Sequence, residues 1–453
     1  MSVTDNRPVL FASEAHAGLF GPLAAIAGEL ARRGADDLWF ASMDTRRADV
    51  EAIPGDSRVR FASLGSPPGP ELDPTKWSDE TYDRINSASR ARSLAAYLGQ
   101  ILDPRYWEQR YRRVLEVIDE VRPSLMMIDS YDIAALDAAM TRDVRFMMNC
   151  PTPVSYLFAR RVPRGYPAML SGLPLRMTIR QRWDHNVFKV ARVLTMLAEP
   201  KFVRKMAAYL RLRKQSGVRN ATGEYGRYAD AAVAVLANTV FGIEYPFPVP
   251  PTVKMLGTMV SAERGVADGD KVLFDWLDAR ESVVYIGLGT LMRVSARTLT
   301  EMVAAIEAIG PRHHVLWSMT KTQQGLLPAV LPSNLRVESW VPQVEVLAHP
   351  HVRGYWTHGG NSSHQGLHFG KPLLTMPGSW ETRDLAVRFV DAGAALMVAD
   401  VRTVGRDELV RKLSRLLTDE NLRERAGYWR RRLTEAGGVG AAADLIAANR
   451  QAR

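Results

Sequence analysis

The sequence predicts an α/β protein built from two parallel-sheet domains. Three observations carry that prediction: the chain's length, a strand-loop-helix-strand opening near the N-terminus, and a second alternation of strands and helices that runs to Val398. At 453 residues the chain exceeds what one ordinary core organises and fits two domains of about 200 residues each. Its 46% hydrophobic and 24% charged residues belong to a globular chain, not to a disordered or fibrous one.

The opening strand is Val9 to Ala12, short and apolar, followed by the loop S-E-A-H-A-G-L-F-G-P. A helix with apolar residues at helical spacing and basic residues in its last turn then runs to Gly34. Leu38 to Ala41 is the next strand, which makes the unit β-α-β and the sheet parallel, with ligands expected at the carboxyl ends of the strands. No G-x-G-x-x-G follows the first strand, so dinucleotide binding has little support.

Leu94 to Val121 carries Tyr97, Tyr106, Trp107 and Tyr111 on a helix-like pattern. These read mainly as helix core and surface, with an acceptor-lining role open for some. V-R-P-S-L-M-M-I-D-S-Y is a strand ending in Asp129, a position suited either to chemistry or to capping the helix that follows. The single cysteine, Cys150, excludes an internal disulfide, reads as a small core residue, and suits a reducing cytoplasm.

Net charge is +10, and its excess is local. Between Arg160 and Arg219 fifteen Lys and Arg face only Asp184 and Glu199, on two amphipathic helical patterns, W-D-H-N-V-F-K-V-A-R-V-L and F-V-R-K-M-A-A-Y-L-R-L-R-K. A solvated basic face, peripheral contact with an anionic membrane and an acidic acceptor all remain open for them. No nucleic-acid-binding motif accompanies the charge, and nucleic acid is not expected as a partner. The N-terminus shows no export signal, and no run of about 18 apolar residues suggests a membrane span, so a cytoplasmic protein is expected.

Ala231 to Ala237 is a further strand. The proline-rich P-F-P-V-P-P-T and the polar loop S-A-E-R-G-V-A-D-G-D mark a connection, placing the domains at 1–256 and 257–453. E-S-V-V-Y-I-G-L-G-T is a strand with a glycine turn, Val315 to Ser318 another strand, and Asn334 to Trp340 leads into the most informative stretch.

That stretch runs from Trp340 to Thr382. A strand, Val352 to Thr357, is followed by His358-Gly359-Gly360-Asn361-Ser362 and a helix over Ser363 to Phe369, so free backbone amides at a helix start suit a phosphate. His358, Asn361 and Ser362 add side-chain donors, Trp340 offers a flat face to a base, and Gln343 both donates and accepts. Residue by residue the alternative is a buried Trp, a turn at Pro342 and a helix cap at Asn361; the combination favours a ligand. No cluster of metal ligands stands out, and no metal or cofactor is expected.

Trp340, Pro342, Gln343, Leu347, His349, Pro350, Thr357-His358-Gly359-Gly360, Asn361-Ser362, Gly370, Pro372, Pro377 and Glu381 together resemble the donor signature of family 1 glycosyltransferases. That family includes the UDP-glycosyltransferases and the bacterial antibiotic glycosyltransferases. The resemblance implies a GT-B fold, in which two facing Rossmann-like domains enclose a cleft and the tail from about residue 430 packs back on the first domain. It implies sugar transfer with inversion from a UDP- or dTDP-hexose to a small-molecule acceptor, of the kind met in natural-product and antibiotic biosynthesis. The nucleotide sugar is a co-substrate.

The same resemblance implies donor contacts from Thr290, Trp340, Val341, Gln343, His358, Gly360, Asn361, Ser362, Gln365, Glu381 and Thr382. Three departures bear on the donor: one residue is missing after Gly360, Gln365 stands where a ribose-binding Glu is usual, and Thr382 replaces a sugar-contacting Gln. UDP and dTDP therefore stay equally open. In the first domain the family's base His falls on Leu19, and the nearby His16 is the candidate base, with Asp129 at the position of the orienting acid. A nucleotide-sugar-binding helper without activity, and a transferase acting on a lipid at an anionic membrane surface, are the alternatives.

Overall fold

The computed structural model describes residues 7–87, 89–261, 267–378 and 380–451. Residues 262–266 of the expected polar loop, and Ser379 of the M-P-G-S-W-E-T stretch, lie outside them. The chain divides into two compact units, one of residues 1–169, 177–261 and 436–453, the other of residues 170–176 and 262–435.

In the first unit the strands are β1 (Val9–Ala12), β2 (Leu38–Ser42), β3 (Val59–Ser63), β4 (Leu125–Asp129), β5 (Phe146–Cys150), β6 (Ala234–Ala237) and β7 (Val253–Met255). They form one parallel sheet in the order β3-β2-β1-β4-β5-β6-β7. β1, β4, β5 and β6 are buried along their whole length, which explains their continuous apolar sequences: helices cover both faces. Cys150 ends β5 in this core, where burial pushes its thiol up to about 12 and leaves it unreactive. Strand order reverses between β1 and β4, so the loops leaving their carboxyl ends diverge and open a crevice there.

The second unit repeats the plan with β8 (Val283–Gly287), β9 (His314–Ser318), β10 (Leu335–Glu338), β11 (Val352–Thr357), β12 (Leu373–Thr375) and β13 (Ala395–Met397). All pairs are parallel, the order is β10-β9-β8-β11-β12-β13, and the reversal lies between β8 and β11.

Several expected boundaries shift for identifiable reasons. β6 starts at Ala234, because Ala231 closes the helix Tyr225–Ala231 and alanine has no strand preference to resist it. The pattern from Leu94 to Val121 is two helices, Arg90–Ile101 and Pro104–Val121. Pro104 opens the second, and the Asp103 carboxylate caps it by accepting the amides of Arg105 at 2.8 Å and Tyr106 at 3.0 Å. Leu256 and Met259 are buried in the first unit's core, so that unit extends past Gly257 to Ser261.

The last helix, Gly438–Gln451, belongs to the first unit: Ala442, Ala443 and Ile446 are buried in its core, and Arg33 pairs with Asp444 at 2.6 Å. Residues 170–176 join the second unit as a short strap. The amides of Leu170, at 2.7 Å, and Gly172 donate to the Asp384 carboxylate on the helix Trp380–Asp391.

The basic segment forms two helices, Ile179–Leu197 and Pro200–Gln215. The second is anchored by Arg213, fully buried, whose guanidinium donates to Asp137 at 2.8 Å. Tyr228 at 2.7 Å and Trp107 at 3.0 Å donate to the same carboxylate. Burial pushes the Asp137 carboxyl up to about 6, with Arg213 pulling the other way. Removing one partner would strand a buried charge, so Arg213→Ala is expected to cost about 3–5 kcal/mol in urea denaturation. A loss below about 1 kcal/mol, the range of an exposed pair, would contradict this anchoring.

Candidate functional site

Both reversals in strand order collect polar side chains, and the second unit's collection is the denser. β8 and β11 carry Tyr285 and Tyr355, whose rings stack with centroids 5.3 Å apart and planes 6° from parallel. Their hydroxyls both reach Gln343 Oε1, at 3.2 and 3.4 Å. With its oxygen thus occupied, Gln343 donates through Nε2 to Gln365 Oε1 at 2.6 Å. The Gln365 oxygen is therefore taken and its amide nitrogen has no acceptor among the described residues. The exposed end of this relay is a donor, where a carboxylate at the same position would be an acceptor.

The loop after β11 is fixed by two glycines. Gly359 has φ +83°, and a Cβ there would lie 2.8 Å from the Thr382 carbonyl, so its absence lets the loop meet the start of the Trp380–Asp391 helix. At Gly360 a Cβ would lie 2.3 Å from His358 Nε2. The helix that follows is Ser362–His368, one residue earlier than expected, and Asn361 at its cap position makes no side-chain capping bond. The capping alternative for Asn361 is thereby set aside. The amides of Gly360 and Ser362 have no acceptor among the described residues, which leaves them for an anion.

His358 is half-buried, and burial lowers its pKa to about 4, although the nearby Gly287 backbone favours the charged form. At neutral pH this is a neutral imidazole, and its buried Nδ1 has no hydrogen-bond partner among the described residues. Tyr355 also reaches Ser362 Oγ at 3.2 Å.

Trp340 is 70% exposed and presents an open ring, so the buried-Trp alternative does not hold. Val341 is buried, and any ligand contact from it has to come from its backbone. Thr290 is exposed three residues beyond Gly287, and Glu381 and Thr382 are half-buried in the first turn of the Trp380–Asp391 helix. One region at the carboxyl ends of β8 and β11 thus holds the amide relay, the His358 loop and the start of that helix. It can stack a ring, hydrogen-bond hydroxyls and receive an anion.

In the first unit His16 is the residue just before the helix Ala17–Arg32, and Leu19 lies inside that helix. The His16 ring is exposed and has no hydrogen-bond partner among the described residues. Although the residue is exposed, the protein around its ring excludes enough solvent to lower its pKa, with Asp73 opposing and Arg46 adding to the effect. Arg46 also braces the loop, donating to the Ala15 carbonyl at 2.7 Å. Asp129 is fully buried and accepts the Tyr131 amide at 2.8 Å. Burial raises its pKa well above the ordinary carboxylate range. No hydrogen bond joins Asp129 to His16, so the orienting role implied for Asp129 has no direct contact behind it.

Reading the sequence missed Glu14, two residues before His16. Its carboxylate pairs with Arg110 at 3.1 Å and accepts from Tyr106 at 3.1 Å, while Arg110 also donates to Asp132 at 3.0 Å. A Glu just past the end of β1 was visible in the chain; its partners come from the helix Pro104–Val121, and only folding brings them there. The chain showed His349 only as part of the donor signature and did not join it to Asp278 and His351, although the ligand atoms of the three lie within 4.8 Å of one another. His349 Nδ1 accepts the His351 amide at 3.2 Å, which puts the ring proton on Nε2, facing Asp278 Oδ1 at 3.0 Å. That nitrogen has no lone pair to offer a cation, so the group reads as a hydrogen-bonded brace.

The family model described as UDP-glucoronosyl and UDP-glucosyl transferase matches residues 112–428. The chain belongs to that family. UDP-glucosyltransferase 2 of Dactylopius coccus is 25% identical over 194 residues, 42% of this chain and 36% of that protein. UDP-glycosyltransferase 84A3 of Arabidopsis thaliana is 31% identical over 216 residues, 44% of this chain and 45% of that protein. The chain thus spans less than half the length of these relatives. Among solved structures, the glycotransferase of kitacinnamycin superposes with a TM-score of 0.68 at 18% identity, covering 98% of this chain and 99% of that one. The fold is that of GT-B glycosyltransferases. Within this transferase family the matched range includes Asp129 and everything from Thr290 to Thr382, while Glu14 and His16 precede it.

The helix that follows the His358 loop carries a second depressed histidine. His364 is buried edge-on to Phe389 at 4.9 Å, and burial lowers its pKa to about 4 against the hydrogen bond to the Asn361 carbonyl. As pH falls from 6.5 towards 4 the unfolded chain takes up these protons first, so stability is expected to drop across that window. Melting temperature against pH should show the drop, reduced in the double variant His358→Gln, His364→Gln. An identical slope in the two proteins would remove these histidines from the explanation.

Proposed function

We propose that the chain is an inverting glycosyltransferase that moves a hexose from a UDP- or dTDP-sugar to a small-molecule acceptor. The observation that carries this is the gathering of the Gln343–Gln365 relay, the open Trp340 ring and the His358 loop at the β8 and β11 ends, in a chain of the UDP-glucoronosyl and UDP-glucosyl transferase family. In this reading Trp340 stacks on the base and Gln365 donates to the ribose edge. The amides of Gly360 and Ser362, with Asn361 and Thr290, receive the diphosphate, and Glu381 and Thr382 face the sugar.

Departure of the diphosphate is stabilised by fixed backbone donors that need no reorganisation, and the reading invokes no metal or cofactor. His16, neutral at pH 7, takes the acceptor's proton while the nucleophile attacks the anomeric carbon in line. The structural neighbour named for kitacinnamycin favours a natural product as acceptor. Among the described residues no helix is long and apolar enough to cross a membrane. Peripheral docking on an anionic membrane is a separate inference that does not depend on the donor pocket.

Two variants separate binding from chemistry. Trp340→Ala is expected to weaken UDP or dTDP binding about tenfold by titration calorimetry, the scale of one lost base-aromatic stack. His16→Ala is expected to leave that affinity alone and lower kcat about 100-fold, the scale of a lost general base. Unchanged affinity for both nucleotides in the first variant would refute the stacking role. Unchanged turnover in the second would move the base elsewhere, with Glu14 the first candidate.

A further inference from the structure

The Ile179–Leu197 helix has two apolar faces. The inner one, around His185 and Phe188, packs on the helix Arg90–Ile101, and Thr195 donates to the Ala91 carbonyl at 3.1 Å. The outer one consists of Ile179, Trp183, Val187, Val190, Leu194 and Leu197, all exposed in the full chain. At 100° per residue these six fall within one stripe almost opposite the buried face, and the stripe is about 27 Å long. Ile179 is 88% exposed, Trp183 70% and Leu197 68%, so this is not the incidental exposure of single side chains.

Cations border the stripe. Arg180, Arg182 and Lys189 are exposed on the same helix. The neighbouring Pro200–Gln215 helix adds Lys201, Arg204, Arg211 and Lys214 beside the exposed Val203 and Leu210. Between Arg160 and Arg219 the acids are only Asp184 and Glu199.

Charge decides what covers such a face. In a two-fold dimer through the stripe each surface meets itself, so unpaired cations would confront their own copies. An anionic lipid surface suits both features: the apolar side chains enter the acyl boundary, Trp183 sits at headgroup level, and Arg and Lys reach the phosphates with their stems along the apolar layer. We propose that the outward face of the Ile179–Leu197 helix, with the cationic helix that follows it, is a peripheral docking surface for membranes rich in anionic phospholipid.

The test is co-sedimentation of the full chain with phosphatidylcholine vesicles, with and without phosphatidylglycerol. The wild type should bind the anionic vesicles and release as salt is raised. Trp183→Ser combined with Leu194→Ser should weaken binding about tenfold or more through lost apolar insertion. Arg204→Gln combined with Arg211→Gln should do the same by removing two cations near the surface. All four sites are exposed, and an unchanged melting temperature establishes that each variant is folded. Equal binding to neutral and anionic vesicles, or unaltered binding in both variants, would overturn the proposal. So would a lipid-free dimer, seen by sedimentation, that Trp183→Ser and Leu194→Ser dissociate. Donor binding is read separately by nucleotide titration, so failure here leaves the donor pocket untouched.

Discussion

Everything proposed for the second unit depends on how closely the loop after β11 approaches its neighbours. Gly359 admits the Thr382 carbonyl and Gly360 leaves room for the His358 ring, which feels the Gly287 backbone at the end of β8. Side chains at either glycine would push the loop out, separating the Ser362–His368 helix start from the Trp380–Asp391 helix. Strand reversal creates the crevice, and the two glycines let the backbone enter it.

The hydrogen bonds inside the crevice have a direction. The Tyr285 hydroxyl reaches the Gln343 oxygen, Gln343 fills the Gln365 oxygen, and the relay ends on an amide donor. An acidic residue at position 365 would reverse that polarity at the ligand edge. His358 is neutral at pH 7, so it can offer an incoming diphosphate one N–H, and a positive charge only by taking up a second proton. The backbone amides of Gly360 and Ser362 supply partial positive charge on the phosphate side without any change of protonation.

Much of this was legible in the chain. The buried strands β1 and β11 carry their boundaries in their apolar runs, and the residues from Trp340 to Thr382 carry the family in their spacing. What was not legible depends on partners distant in sequence. Glu14 gains its meaning from Arg110 and Tyr106, and Asp129 from a burial that the alternation of apolar residues does not measure. The break at Asp103-Pro104 was present as a capping signal but hidden inside a continuous aromatic pattern. For the basic helices, periodicity gave amphipathic character, and only the fold showed that Ile179–Leu197 buries one apolar face while leaving a second uncovered.

The central claim is that one nucleotide-sugar pocket is assembled from three separated segments of the second unit. Amide hydrogen exchange of the intact chain, with and without saturating UDP or dTDP, measures this directly. The account predicts protection over residues 340–347, 358–366 and 380–386 together, with whichever nucleotide binds. Saturable nucleotide binding that protects none of these segments, or only residues of the first unit, would contradict it.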